Sequence, residues 1–218
     1  MTSAKLLVAA AAMLVTTGAA AAAHADDFKP NAAGAWIVDA RISDVSPDTS
    51  AAIKTGSGGA TGLHVHVSDD VMPTLGFTYF FTDKIAVEAI LGTTEHNIDA
   101  VGAGGSTKVH STWVLPPVVS IQYHPLPAAR FSPYVGAGVN AMIYYGGKNY
   151  NGYTVDVKDS LGVALQAGVD IALKGPYIAN VDIKKVWVTS DASVDGGAFK
   201  SNVDLNPWVF SVGIGRKF

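Results

Sequence analysis

Six ionisable residues share one property of placement. Asp39, Arg41, Glu88, Asp170, Asp182 and Lys184 each fall on the polar side of a segment whose other side is apolar. Carboxylates and cations gathered on one surface can pair with one another or line a path that conducts ions or water. If that surface lines a narrow barrel, pairing wins. Taking an unpaired ion out of water costs several kcal/mol, and eight strands leave an interior only wide enough for side chains. The set therefore reads as a charge plug within a lumen.

Other residue types invite other chemistry. His64-Val65-His66 puts two imidazoles on one strand face, a metal pair by type. Asp69 and Asp70 follow, yet no third ligand stands at a fixed spacing, and no metal is assigned. His96 and His110 flank one loop and would approach each other only if a hairpin folds there. Ser120 and His124 share a strand face, but at about 3.3 Å per residue they lie about 13 Å apart, too far for the direct bond a hydrolytic triad needs. The chain has no Gly-x-Ser-x-Gly elbow, phosphate loop or zinc motif. The expectation is a protein that is not an enzyme and needs no cofactor.

Strands must position these residues. Period-2 alternation recurs to the end of the chain. Trp36, Val38, Ala40 and Ile42 oppose Asp39 and Arg41. Leu75, Phe77, Tyr79 and Phe81 oppose Thr74, Gly76 and Thr78. The same pattern runs through 85–92, 119–124, 135–143, 161–173 and 177–184. In the last segment Trp208, Phe210, Val212, Ile214 and Phe218 oppose Val209, Ser211, Gly213 and Gly215. These make eight strands. After Ile183 the pattern breaks, because Lys185 lands on the apolar face while Val186 and Val188 change sides; a bulge or an early exit near Lys185 is expected.

The connections alternate too. Residues 82–84, 125–130 and 174–176 are short turns. Residues 44–70, 93–111, 146–158 and 189–205 read as long loops rich in Gly, Ser, Asn and Asp. Short turns on one side and long loops on the other are the pattern of bacterial outer-membrane barrels. Trp36, Tyr79, Tyr123, Tyr134, Tyr177, Trp187 and Trp208 lie toward strand ends, as interfacial aromatic girdles require. A soluble barrel would bury its apolar face inside, and the remaining face here is a thin, Gly-rich covering for a soluble exterior. The fold expected is all-β, an up-and-down eight-stranded antiparallel transmembrane barrel.

Composition agrees. Of 218 residues, 49% are hydrophobic and 15% charged. Even so, the mature region has no apolar run long enough for a membrane helix. A net charge of −3 without a basic stripe excludes nucleic acid as a partner. With no Cys, neither disulfides nor thiolate metal sites arise. Lys5, the apolar run 6–15 and Ala23-His24-Ala25 form a signal peptide over 1–25, with a barrel domain over 26–218. The expected location is the outer membrane of a Gram-negative bacterium, after signal-peptide cleavage, with outer-membrane lipids as partners.

Leu115-Pro116-Pro117, Gln122-Tyr123-His124 and the run from Pro133 to Asn140 resemble the central signature of the outer membrane protein W (OmpW) family. The blocks 73–83, 167–170 and 204–209, with Phe218, are similar to its others. Asn206-Pro207-Trp208 stands where the family usually has Asp-Pro-Trp. The resemblance implies a narrow, largely apolar channel that lets small hydrophobic molecules cross the outer membrane by passive uptake or efflux. Pathway candidates are Leu63, Val65, Met72, Ile90 and Met142, with a sideways exit where Pro116 and Pro117 remove ladder donors. It also implies that Phe218 is read by the outer-membrane assembly machinery. Some members serve as receptors for a bacteriocin or phage, so a structural or adhesive surface barrel without transport is the alternative.

Overall fold

A computed structural model describes residues 28–49 and 51–218; the expected leader, 1–25, lies outside the described residues. Among those residues the chain forms fifteen strands. The first five are β1 (Trp36–Ser46), β2 (Ala52–Thr55), β3 (Ala60–Val67), β4 (Asp70–Phe80) and β5 (Ile85–Gly92). Then come β6 (Thr94–Gly102), β7 (Gly105–Leu115), β8 (Val118–Tyr123), β9 (Phe131–Asn149) and β10 (Val155–Val157). The last five are β11 (Ser160–Ala172), β12 (Tyr177–Trp187), β13 (Thr189–Val194), β14 (Phe199–Asp204) and β15 (Trp208–Lys217).

Eight of these close a barrel in the order β1-β4-β5-β8-β9-β11-β12-β15, every pairing antiparallel. The closing pair runs from Ile37↔Lys217 to Ser46↔Trp208. Every backbone donor inside a membrane must be satisfied by the protein itself, and closure achieves this by removing edges. The side chains settle which solvent the barrel meets. Leu161 is 81% exposed, Ile214 67% and Val139 62%, whereas Arg41 and Glu88 are buried inside. This is the inverse of a soluble barrel, and the expectation of lipid on the outer face holds.

The aromatic residues form two belts. Trp36, Tyr79, Phe81, Tyr123, Tyr177 and Phe218 ring the short-turn end, with Trp36 packed 4.9 Å from Tyr79. Trp113, Tyr145, Trp187 and Trp208 ring the other end. Trp208 and Phe218 stand ten residues apart at the two ends of the last strand. With a rise of about 3.3 Å per residue and a tilt of about 40°, the belts are about 25 Å apart, the height of an outer-membrane apolar band. Tyr134 does not join a belt. It is 3% exposed and points into the lumen.

Two other expectations need correction. The long loops are largely β-structure: β2, β3, β6, β7, β10, β13, β14 and the outer half of β9 form a second sheet continuing the barrel beyond the membrane. Its inward residues, such as Val65, Val67 and Val203, are buried. The other correction concerns Lys185. Of the bulge or early exit expected there, the bulge does not form, because β12 runs in register from Ile178↔Ala172 to Trp187↔Val163, while Lys185 pairs with Trp208 at the height of the outer aromatic belt. Lys185 stays outward, donates to the Asn206 carbonyl at 2.5 Å and sits 4.9 Å from the Trp208 ring. Val186 and Val188 stay inward and buried. What changes at this height is the lumen, which turns from charged to apolar.

Candidate functional site

The lumen is layered. Arg41 lies at the centre of the charged layer, paired with Asp39 on its own strand and with Glu88 of β5 at 2.6 Å. Lys184 of β12 reaches Glu88 at 3.2 Å and Asp182 at 2.5 Å. Tyr134 donates to Asp182 at 2.8 Å, and Asn180 donates to both Tyr134 (3.0 Å) and Asp170 (2.8 Å). All six residues singled out by type thus lie in one connected, buried network. Five are joined by ion pairs, while Asp170 enters through an amide instead.

Tyr134 is the member that residue type and spacing missed. Its signal is parity, since it falls on the same side of β9 as Gly136 and Gly138. Gly168 makes room for it: a methyl group there would collide with the Tyr134 ring and lie 2.7 Å from the Val181 carbonyl oxygen. Gly168→Ala should therefore destabilise the barrel by about 1–3 kcal/mol through overpacking. Urea unfolding of refolded protein measures this, and an unchanged midpoint would show that Tyr134 can shift without penalty.

Below the network the lumen closes. His124 is fully buried, within 3.1 Å of Gln122 Oε1 and 3.4 Å of Ser132 Oγ. Asn31 reaches in from the segment before β1, and Lys217 Nζ donates to its side-chain oxygen at 2.6 Å. Ile37, Phe80, Ala86 and Ile178 fill the end. Ser120 is buried too, but His124 directs its ring nitrogens to other partners, so the two do not meet as a catalytic pair.

Above the network the lumen is apolar. Ser43 shares hydrogen bonds with Thr74 (2.8 Å) and Ser211 (2.7 Å), and past this hydroxyl belt two cavities stack. The lower, about 40 Å³, is lined by Met72, Ile90, Val118 and Val186 and touches Lys184 at its floor. The upper, about 90 Å³, is lined by Val65, Val67, Ile98, Val114 and Tyr144. Val45, Pro116, Met142 and Pro207 border both. Of the pathway candidates, Val65, Met72, Ile90 and Met142 line these cavities. Leu63 does not: it pairs with Ile53 at the outer rim and is 37% exposed.

The wall beside the cavities has a gap in its ladder. β5 and β8 pair up to Ile90↔Val118, and β6 and β7 resume at Thr94↔Val114. Between these rungs residues 91–93 face 115–117 without a backbone ladder, and Thr93 Oγ1 spans to the Val114 carbonyl at 3.2 Å. Pro116 and Pro117 carry no N–H to restore the rungs.

The histidines separate. His64 and His66 lie on the outer face of β3, exposed. His96 and His110 share a hairpin but turn to different partners, the Ser68 carbonyl at 2.7 Å and Asn149 Oδ1 at 2.8 Å. Among the described residues no group of three or more His, Asp or Glu is arranged to hold a metal ion.

A closed eight-stranded barrel, apolar outside, belted by aromatics and crossed inside by a buried network of paired charges, is an integral outer-membrane protein. Within that class the chain belongs to the OmpW family, whose model matches residues 32–218. It is 37% identical over 164 residues to the uncharacterized outer-membrane protein y4mB of Sinorhizobium fredii, covering 73% of this chain and 71% of that one. It is 33% identical over 199 residues to outer membrane protein W of Vibrio cholerae, covering 85% and 89%. The crystal structure of the outer membrane protein OprG from Pseudomonas aeruginosa superimposes with a TM-score of 0.83 at 29% identity, covering 88% of this chain and 99% of that one.

Proposed function

We propose that the protein carries small, largely apolar molecules passively across the outer membrane, and that they leave the barrel sideways. One observation carries this reading: the apolar cavities of the lumen lie above the Glu88 network, and paired charge closes their floor. An apolar solute entering from outside exchanges water for the upper cavity, a favourable transfer of about 25 cal/mol per Å² of apolar surface. Going further down would bring it against ion pairs that cannot open without stranding a charge. The ladder gap at 91–93 and 115–117 adjoins Pro116, which borders both cavities, so the low-cost path leads into the bilayer. In this proposal the six charged residues act as a plug and conduct nothing.

Liposome uptake of a hydrophobic fluorescent dye tests the proposal. Uptake should exceed that of protein-free vesicles. Ala192→Trp, which puts an indole into the upper cavity wall, should return it toward the protein-free rate. Equal rates with and without wild-type protein would sink transport and favour a structural or receptor role.

A further inference from the structure

The upper cavity is apolar in all but a few places, and its polar groups are mostly spoken for. Thr94 Oγ1 donates to Asp70 at 2.5 Å, Thr112 Oγ1 to the Tyr145 carbonyl at 3.3 Å, and Ser201 Oγ to the Ala52 carbonyl at 3.1 Å. The Tyr144 hydroxyl is engaged with Ser190 at 2.7 Å. Asp99 and Lys200 stand further out, toward the extracellular rim.

His96 differs. It lines the cavity between Thr94 and Ile98, 7% exposed, with Nδ1 at 2.7 Å from the Ser68 carbonyl oxygen. A carbonyl only accepts, so Nδ1 must carry the proton, and in the neutral ring Nε2 is then an acceptor. Nε2 has no hydrogen-bond partner among the described residues. Burial holds His96 below the ordinary imidazole range, against the opposing pull of the Ser68 carbonyl, Asp70 and Asp69. The ring therefore stays neutral near pH 7.

Resting on the proposal that this cavity takes apolar molecules, we infer that His96 Nε2 reads a hydrogen-bond donor on the solute. The class best served is a compact aromatic or aliphatic molecule carrying one hydroxyl or N–H, such as a phenol or naphthol. A pure hydrocarbon fits the walls but leaves this acceptor unmet. A site with a positioned polar group discriminates by what it leaves unpaired.

Three probes of nearly equal shape decide the matter: naphthalene, 1-methoxynaphthalene and 1-naphthol. They are titrated into protein in lipid nanodiscs, with empty nanodiscs subtracted. Wild-type protein should bind 1-naphthol over 1-methoxynaphthalene with a preference about 5-fold greater than His96→Phe shows, the worth of one net hydrogen bond. In the wild type, the 15N resonance of His96 Nε2 should move with 1-naphthol and stay still with 1-methoxynaphthalene. This second reading holds even if the variant does not fold. Binding of all three with equal preference in both proteins, or an Nε2 resonance indifferent to 1-naphthol, would overturn the role of His96 and leave the cavity's apolar function standing. Binding of none would overturn the apolar-cavity reading itself.

Discussion

Glu88→Gln should lower the stability of the folded barrel by about 3 kcal/mol, toward the lower end of what breaking a buried ion pair costs. Glu88 is 1% exposed and joins the two halves of the network, taking Arg41 on one oxygen and Lys184 on the other. A glutamine can still accept from Arg41 with its carbonyl. Its amide nitrogen would then face the Lys184 ammonium, donor against donor. Each cation keeps one carboxylate, Asp39 for Arg41 and Asp182 for Lys184, which holds the loss near the lower bound. The measurement is urea unfolding in lipid, followed by tryptophan fluorescence. Dye uptake and ion conductance should hardly change, because the network lies beneath the apolar cavities. A large rise in conductance with unchanged stability would mean that these charges line an ion path.

The same residues show what the sequence made legible and what it did not. The barrel strands can be read because lipid outside and side chains inside impose opposite demands on alternate residues. Asp39, Arg41, Glu88, Asp170, Asp182 and Lys184 can be grouped for the same reason: strand parity alone brings them inside. Tyr134 reads as a belt residue because tyrosine suits an interface as well as a lumen, and only its parity with Gly136 distinguishes the two.

Lys185 misleads differently. A rule that inward means polar holds along β12 from Asn180 to Lys184 and reverses above it, where Val186 and Val188 form part of the apolar lumen wall with Val114, Val118, Met142 and Ala164. The apparent slip in register is a change in what the lumen contains. The long loops are hidden by composition. Their Gly, Ser and Asn residues break the hydrophobic alternation outside the membrane, where no lipid enforces it. Even so, His64-Val65-His66-Val67 is a strand pattern, with exposed imidazoles out and buried valines in. Read so, it accounts for both histidines without a metal. His96 has no legible partner, since the Ser68 carbonyl that orients it comes from a turn no side-chain pattern marks.

These layers also explain why stability and transport should separate under mutation. The ion network, Tyr134 and the lower apolar cluster hold the barrel's shape. In the proposed transport, the cavities above them supply what a solute meets. Substitutions at Glu88 or Gly168 should therefore act on unfolding, and those at Ala192 or His96 on solutes.

Loss of the Phe218 ring should reduce the amount of assembled barrel in the outer membrane more than any lumen substitution does. Phe218 makes two separable contributions. Its backbone N–H donates to the Trp36 carbonyl at 2.8 Å, the rung beyond Ile37↔Lys217 in the closing pair. Its ring is 55% exposed on the lipid side, with the Arg216 guanidinium 4.9 Å from its centroid. Phe218→Ser keeps the rung and removes the ring; deletion of Phe218 removes both. One terminal rung is worth about 1 kcal/mol, too little to prevent a barrel closed by the ten paired positions of β15 and β1 from standing. If the ring is what the assembly machinery reads, both variants should reach the outer membrane poorly and to a similar degree. The fraction that does insert should show wild-type urea unfolding and wild-type dye uptake. Quantitative surface labelling against total protein makes the comparison. Normal surface levels of Phe218→Ser would remove the ring from assembly, and if deletion alone fell short, the cause would be the lost rung in the closing pair.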